Sequence, residues 1–291
     1  MDDNHNKYGR NLLHWACMGG NLDIVTTAVG FGLDINTADK DGRTPIYYAA
    51  ANGHVPVVQY LREKGAKINC EDKNGDTPLH KAASWGHLAA VKYITDHGAN
   101  IHAVNELGRN LLHDACLGGN LDIVTTAVGL GLDINSTDEN GQTPIYYAAT
   151  HGHVPVVQYL REKGAKINCE DKDGYTPLHT AAYNGSLSAV KYITDHGASI
   201  HAMNKGGETP LLSAVKGSFS LRRADSCKVV KYFVEHKKMG ITQFSQEVRQ
   251  KIHKMIAEAG SDEEDDTVEV PSYDKTLNDQ CAVQCVQLLE Y

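Results

Sequence analysis

The sequence predicts an all-α solenoid, a stack of similar helix-turn-helix units in which each unit contacts only its neighbours. Two periods in the sequence carry this prediction. The segment from Tyr8 to Glu106 recurs from Leu107 to Lys205 with 78 identities in 99 positions, and a weaker repeat of 33 residues divides each copy into three units. Periods of this length are typical of stacked supersecondary units. The third observation is that each unit carries the signals of two short helices.

The unit from Asp41 to Lys73 shows these signals in order. The segment DGRTP supplies a turn and then a proline, which suits the first turn of a helix because its missing N–H would be unpaired there anyway. The pair Ala49-Ala50 lets a neighbouring helix approach closely, and Gly53 ends this first helix. The second helix, VPVVQYLRE, has apolar residues at helical spacing and ends before Gly65, which suits a left-handed C-cap.

The segments TPLH, AA, GH and GAxIN that recur in these units are the signature of ankyrin repeats, whose period is 33 residues. The chain therefore resembles the ankyrin-repeat family. This resemblance implies an ankyrin-repeat solenoid of stacked helix-turn-helix units with β-hairpin loops. It also implies a protein that binds other proteins and has no catalytic activity. Units one and four carry Asn11-Leu12 and Asn110-Leu111 in place of Thr-Pro, so we expect looser helix starts there.

We expect seven repeats after a polar leader at residues 1–7. Their predicted bounds are 8–40, 41–73, 74–106, 107–139, 140–172, 173–205 and 206–239. The seventh carries an insertion in the turn between its helices. Residues 240–260 are predicted to form a C-terminal capping helix, because a repeat array needs a polar outer end. The acidic residues 261–275 are predicted to be disordered, and residues 276–291 to form a short helix.

Composition and charge exclude several classes of function. The formal net charge is −8, and most of it lies after residue 240, so the repeats lack the clustered cations of a nucleic-acid-binding protein. Apolar runs are far shorter than the roughly 20 residues that span a bilayer, so we expect no membrane insertion. The seven cysteines include no CxxC pair and recur as small core residues. We therefore expect reduced thiols and an intracellular protein, in the cytoplasm or nucleus.

The histidines predict structure and not a metal site. His14, His80, His113 and His179 all occupy the TPLH slot, where the family's histidine hydrogen-bonds the adjacent loop. Zinc ligands should converge in space and not recur every 33 residues. No nucleophile, carboxylate pair or glycine-rich phosphate loop stands apart from the repeat pattern. We expect no enzyme activity, no cofactor and no bound metal.

The two 99-residue copies differ at hairpin tips and first-helix ends, which the ankyrin fold turns toward its concave groove. Exposed second-helix residues such as Arg62 and Glu63 are unchanged in Arg161 and Glu162. Free drift at any exposed site is the alternative, but it would have changed both sets, so the copies favour a diversified binding groove rich in aromatic residues. The predicted partner-binding residues are Arg43, Tyr48, Asn52, Asp76, Ser84, Trp85, Gln142, Tyr147, His151, Tyr175, Tyr183 and Asn184.

Two other functions stay open. The chain could be a purely structural spacer or oligomer module whose aromatic residues cover the stack. Its seven repeats and acidic segment also resemble the inhibitors of Rel-type transcription factors, which would make it a regulatory inhibitor. The acidic tail, from Asp262 to Glu269, is predicted to contact the basic last repeat at Arg222 and Arg223. The alternative is two unrelated charge runs.

Three residues are candidate modification sites. Asn69 and Asn168 lie in the GAxIN loop, with Leu61 and Leu160 eight residues before them. In similar ankyrin proteins this arrangement marks substrates of an oxygen-dependent asparaginyl hydroxylase. The alternative is that both asparagines only hydrogen-bond the loop. Ser261 precedes Asp-Glu-Glu and resembles a site for an acidophilic kinase.

Overall fold

The computed structural model describes residues 6–217, 223–242 and 244–259, and the regular structure within these ranges is helical. A π-helical turn, Tyr232–His236, directly follows α14. The α-helices are α1 Leu12–Gly19, α2 Leu22–Gly30, α3 Pro45–Ala51, α4 Val55–Glu63, α5 Pro78–Ser84, α6 Leu88–Asp96, α7 Leu111–Gly118, α8 Leu121–Gly129, α9 Pro144–Thr150, α10 Val154–Glu162, α11 Pro177–Tyr183, α12 Leu187–Asp195, α13 Pro210–Gly217, α14 Arg223–Lys231 and α15 Gln246–Glu258.

The helices stack in two layers. The first helices of the repeats, α1, α3, α5, α7, α9, α11 and α13, each pack on the next, and the second helices from α2 to α12 form a parallel row. Ala49 and Ala82 are fully buried in the first layer, and Leu61 and Ile94 in the second. Their burial supplies one continuous apolar core along the array. The predicted all-α solenoid is confirmed.

The starts of α1 and α7 are capped, although their sequences lack Thr-Pro. The Asn11 side chain accepts hydrogen bonds from the backbone N–H groups of Leu13 and His14, and Asn110 caps α7 in the same way. Asparagine is among the best N-cap residues because its side-chain oxygen satisfies backbone donors that have no partner within the helix. The expectation of looser starts is therefore wrong.

The loops between repeats, here called finger loops, contain no β-strand in the ranges that the structure describes. Each is a tight turn that its own side chains close. In the loop before α3, the Asp39 carboxylate accepts the backbone N–H groups of Asp41 and Arg43 at 2.9 and 3.0 Å. The backbone N–H of Lys40 also donates to the carbonyl of Tyr8 in the preceding loop, at 2.9 Å. The predicted β-hairpins are turns that hydrogen-bond to one another.

The last described helix, α15, packs against α14. Its residues Ile252 and Met255 are buried, which is the contact that a cap would make. The capping role stays a prediction. Within the described ranges, none of the helices has the length and apolar character that crossing a bilayer requires. Residues 1–5, Arg222, Ser261 and both predicted tail segments, 261–275 and 276–291, lie outside the described residues.

Candidate protein-binding groove

The finger loops and the first helices together form one surface of the array, here called the groove face. Backbone hydrogen bonds join consecutive loops, from Lys73 to Asp41 at 2.8 Å and from Glu106 to Asn74 at 2.9 Å. Equivalent residues of successive repeats therefore lie in columns across this face. The column at the end of each finger loop contains Arg10, Arg43, Asp76, Arg109, Gln142, Tyr175 and Glu208.

Tyrosines of α3 and α9 tie the first helices to the finger loops. Tyr48 donates its hydroxyl to Asp39 at 2.6 Å, and Tyr147 donates to Asp138 at 2.7 Å. Burial and the hydrogen bond to Asp39 raise the pKa of Tyr48 to about 12. Burial alone would raise the pKa of Asp39, but the bonds that it accepts bring it below its usual value. These pairs hold the loops in position.

Two of the predicted partner-binding residues are buried, and the prediction is corrected at both. Tyr48 is 6% exposed and is held by its bond to Asp39. Asp76 is 2% exposed, accepts a hydrogen bond from Asn105 at 2.8 Å and forms an ion pair with Lys81 at 2.5 Å. Neither side chain offers a surface to a partner. Both brace the stack from within.

The other predicted residues are at least partly accessible. Trp85 and Tyr183 are the most prominent, with 52% and 44% of their surface exposed. Several lie at the C-terminal ends of first helices, where Asn52, Trp85, His151 and Asn184 form one column. Arg43, Asn52, Ser84, Gln142, Tyr147, Tyr175 and Asn184 are half-buried, and His151 is exposed.

An open depression of about 350 Å³ lies at the sixth repeat. It brings together Tyr175 and Tyr183, two of the predicted residues. The comparison of the copies did not single out the rest of its lining, since Tyr146 and Asp171 are the same in both copies as Tyr47 and Asp72. Its full lining is Tyr146, Asp171, Asp173, Tyr175, His179, Thr180, Tyr183, Glu208 and Lys216.

The comparisons with known proteins address this stack of helix pairs directly. The family model for ankyrin repeats (3 copies) matches residues 1–72, 64–138, 112–204 and 164–247. The chain belongs to the ankyrin-repeat family. The crystal structure of the human ASB11 ankyrin repeat domain is similar, with a TM-score of 0.62 and 28% identity over 69% of this chain and 90% of that chain. No curated protein matches the chain. Ankyrin repeats are in general protein-interaction modules.

At the junction of the two 99-residue copies, the ankyrin array buries a network of charges that the sequence analysis missed. Asp114 of α7 is 1% exposed, and its carboxylate lies 3.4 Å from the Arg109 side chain. Neither of its oxygens accepts a hydrogen bond. Burial raises the pKa of Asp114 to about 7. A signal was present in the sequence, because Asp114 stands where the first copy has Trp15.

Asp76, His80 and Asp114 lie close enough together to be considered as metal ligands, with their nearest atoms within 4.8 Å of one another. The surroundings do not fit a cation. His80 accepts the backbone N–H of Thr77 through Nδ1 at 3.1 Å, and its Nε2 bonds the carbonyl of Ala103 at 3.1 Å. Lys81 already neutralises Asp76. This donor set is occupied by protein partners and forms an ion network.

Both candidate asparagines take part in the ankyrin stack. Asn69 donates its side-chain amide to the carbonyl of Gly98 at 3.1 Å and accepts the backbone N–H of Asn100 at 2.8 Å. Asn168 bonds Gly197 and Ser199 in the same way. Both side chains are exposed at the surface. Their hydroxylation stays a prediction, and it would require these bonds to the next repeat to open.

Proposed function

We propose that this ankyrin-repeat chain is an adaptor or scaffold that binds a partner protein on its groove face. The observation that carries the proposal is the exposure of Trp85 and Tyr183. Between residues 41 and 205, these are the large aromatic side chains that the structure leaves exposed. Tryptophan and tyrosine dominate binding hot spots because they bury a large area with few rotatable bonds.

The charges on this face favour a protein over a nucleic acid. The cations that point across it are paired within the chain, as Arg43 is with Asp72, Lys81 with Asp76 and Lys216 with Glu208. A nucleic-acid-binding surface needs cations that are free to contact phosphates. The groove face instead offers aromatic rings with polar groups beside them, which suits a protein surface or an extended peptide.

The thiols support an intracellular location. Within the described residues, Cys17, Cys70, Cys116, Cys169 and Cys227 are free, and three of them are buried. Burial raises the pKa of Cys17 to about 12, which keeps it as an unreactive thiol. Buried free cysteines of this kind suit a reducing compartment. The regulatory-inhibitor alternative depends on residues 261–275, which lie outside the described part of the chain.

Affinity capture with matched variants tests the proposal. The full-length chain, a Trp85→Ala/Tyr183→Ala variant and a Gln59→Ala/Gln158→Ala control are used as baits in a lysate of the source cell, with mass spectrometry of the bound proteins. Gln59 and Gln158 are exposed on second helices, away from the groove face. We expect a partner that the wild type and the control retain and the aromatic variant loses. Equal recovery by all three would move the site elsewhere, and no recovery would favour the spacer.

A further inference from the structure

Four tyrosines of α3 and α9 donate their hydroxyls to finger-loop aspartates, and in three of these pairs an arginine of the same chain lies over the tyrosine ring. The ring-to-Cζ distances are 5.0 Å for Arg10, 5.9 Å for Arg43 and 5.9 Å for Arg109. The three arginine sites are Arg10 with Tyr48 and Asp39, Arg43 with Tyr47 and Asp72, and Arg109 with Tyr147 and Asp138. The repeat therefore builds a recurrent site for a guanidinium group.

The fourth pair, Tyr146 with Asp171, has no such arginine. Tyr146 donates to Asp171 at 3.0 Å, as Tyr47 donates to Asp72 at 2.7 Å in the first copy. In the first copy, Arg43 lies over Tyr47 with its Nε 3.5 Å from Asp72. In the second copy, Gln142 takes the place of Arg43.

The loss of this arginine leaves the aspartate more accessible. Asp72, beside Arg43, is buried at 6% exposure, whereas Asp171 is half-buried. The depression of about 350 Å³ lies against Tyr146 and Asp171. The first copy supplies a guanidinium to this acid–tyrosine pair from within, and the second copy leaves open space there.

The rest of the depression is also suited to a cation. Tyr175 and Tyr183 replace Asp76 and Ser84 of the first copy and add two further aromatic faces. Its charged lining consists of three carboxylates and Lys216, a net charge of −2, and Lys216 is already paired with one of them, Glu208. Burial lowers the pKa of His179, so that this ring is neutral near pH 7. The depression therefore combines uncompensated negative charge with tyrosine rings.

We propose that this depression binds an arginine side chain of the partner protein, whose guanidinium takes the place that Arg43 has in the first copy. This proposal rests on the proposed function and names the chemistry of the partner, a protein segment that presents an arginine. A planar guanidinium stacks on a tyrosine ring and bonds a carboxylate through two of its N–H groups. A lysine ammonium is a point charge with neither property. The site selects arginine over lysine.

Selection of peptides tests the proposal before any partner is known. A phage library of randomised peptides is selected on the full-length chain, and the peptides that it enriches are synthesised. We expect them to share an arginine at one position. Replacing that arginine with lysine should weaken binding, and replacing it with citrulline, a neutral group of the same shape, should weaken it by about 10- to 100-fold.

The variant Gln142→Arg places a guanidinium of the chain itself over Tyr146. Arg43 shows that the repeat accommodates arginine at this position. We expect the variant to unfold at the same temperature as the wild type and to bind the arginine peptides at least about 10-fold more weakly. Gln59→Arg adds the same charge to an exposed second-helix position and should leave their affinity unchanged.

The outcomes separate this proposal from the proposed function. Arginine peptides that Gln142→Arg excludes and Gln59→Arg does not exclude support both. Enriched peptides with no shared arginine, whose binding Tyr183→Ala abolishes, overturn the arginine site and leave the groove as the binding surface. Arginine peptides that bind Gln142→Arg as well as the wild type also overturn the arginine site. Peptides whose binding is insensitive to Trp85→Ala and Tyr183→Ala contradict both proposals.

Discussion

The carbonyl oxygen of Ser84 packs so closely on Gly118 that a Cβ atom at that glycine would lie 2.4 Å from it. Ser84 ends α5 and Gly118 ends α7, so this contact is where the third and fourth repeats touch most closely. Gly19 is the counterpart of Gly118 in the first repeat, and a Cβ atom there would meet no atom within 4 Å. The same residue type thus has two environments that differ only in whether a repeat is stacked against it.

Alanine substitutions at the two glycines should have opposite effects on stability. Gly118→Ala forces the third and fourth repeats apart and should lower the free energy of unfolding by about 1–3 kcal/mol, as overpacking does. Gly19→Ala has open space and a helical backbone, and should raise it by about 0.5–1 kcal/mol. Urea unfolding of both variants measures the difference. Equal effects would show that the repeats do not stack at Gly118.

Asp114 should make stability depend on pH. Its pKa is about 7 in the folded protein, against roughly 3.9 in an unfolded chain, so the unfolded state ionises first. The contribution of this group is fully present below about pH 4 and is lost as pH rises toward 7. Asp114→Asn removes the titration. Relative to the wild type, the variant should gain stability between pH 5 and pH 8, on the order of a few kcal/mol.

The comparison of Asp114→Asn with the wild type cancels the opposing effect of the buried histidines. Burial lowers the pKa of His80 and His113, so these groups favour the folded state above about pH 6.5 and not below it. They are present in both proteins. Urea unfolding at four pH values measures the difference. A difference that stays constant from pH 5 to pH 8 would contradict a protonated Asp114 in the folded chain.

We propose that α15 caps the repeat array, and Ile252 tests this role. Its side chain is fully buried in the core, whereas Ile256 on the same helix is half-buried. Ile252→Ala should cost about 2–4 kcal/mol of stability because it leaves a cavity between α14 and α15. Ile256→Ala should cost less. Thermal unfolding that neither substitution alters would show that α15 does not stabilise the last repeat.

The architecture could be predicted because its causes are local and repeated. Thr-Pro, Ala-Ala and the turn glycines recur at each unit, and each has a direct meaning for helix starts, close packing and turns. The finger loops were predicted less well, because tight turns and short hairpins share the same residues. The π-helical turn at Tyr232 follows an insertion in the seventh repeat, where the pattern that supported the prediction is interrupted.

The groove could be predicted only in part, because accessibility depends on partners about 30 residues away. Asp76 and its counterpart Tyr175 both differ between the copies, yet Asn105 and Lys81 bury Asp76, whereas Tyr175 lines a depression. The missing arginine over Tyr146 follows from the Arg43-to-Gln142 difference. Its meaning emerged only when the structure placed Arg43 over Tyr47.

The affinity of the captured partner for matched variants tests the central claim most directly. Calorimetry with the purified partner compares Trp85→Ala and Tyr183→Ala, on the groove face, with Glu63→Ala, an exposed residue at the end of α4. We expect each aromatic truncation to weaken binding by about 1–3 kcal/mol, as hot-spot residues do, and Glu63→Ala to have almost no effect. The opposite ranking would place the binding surface on the second helices and contradict the account.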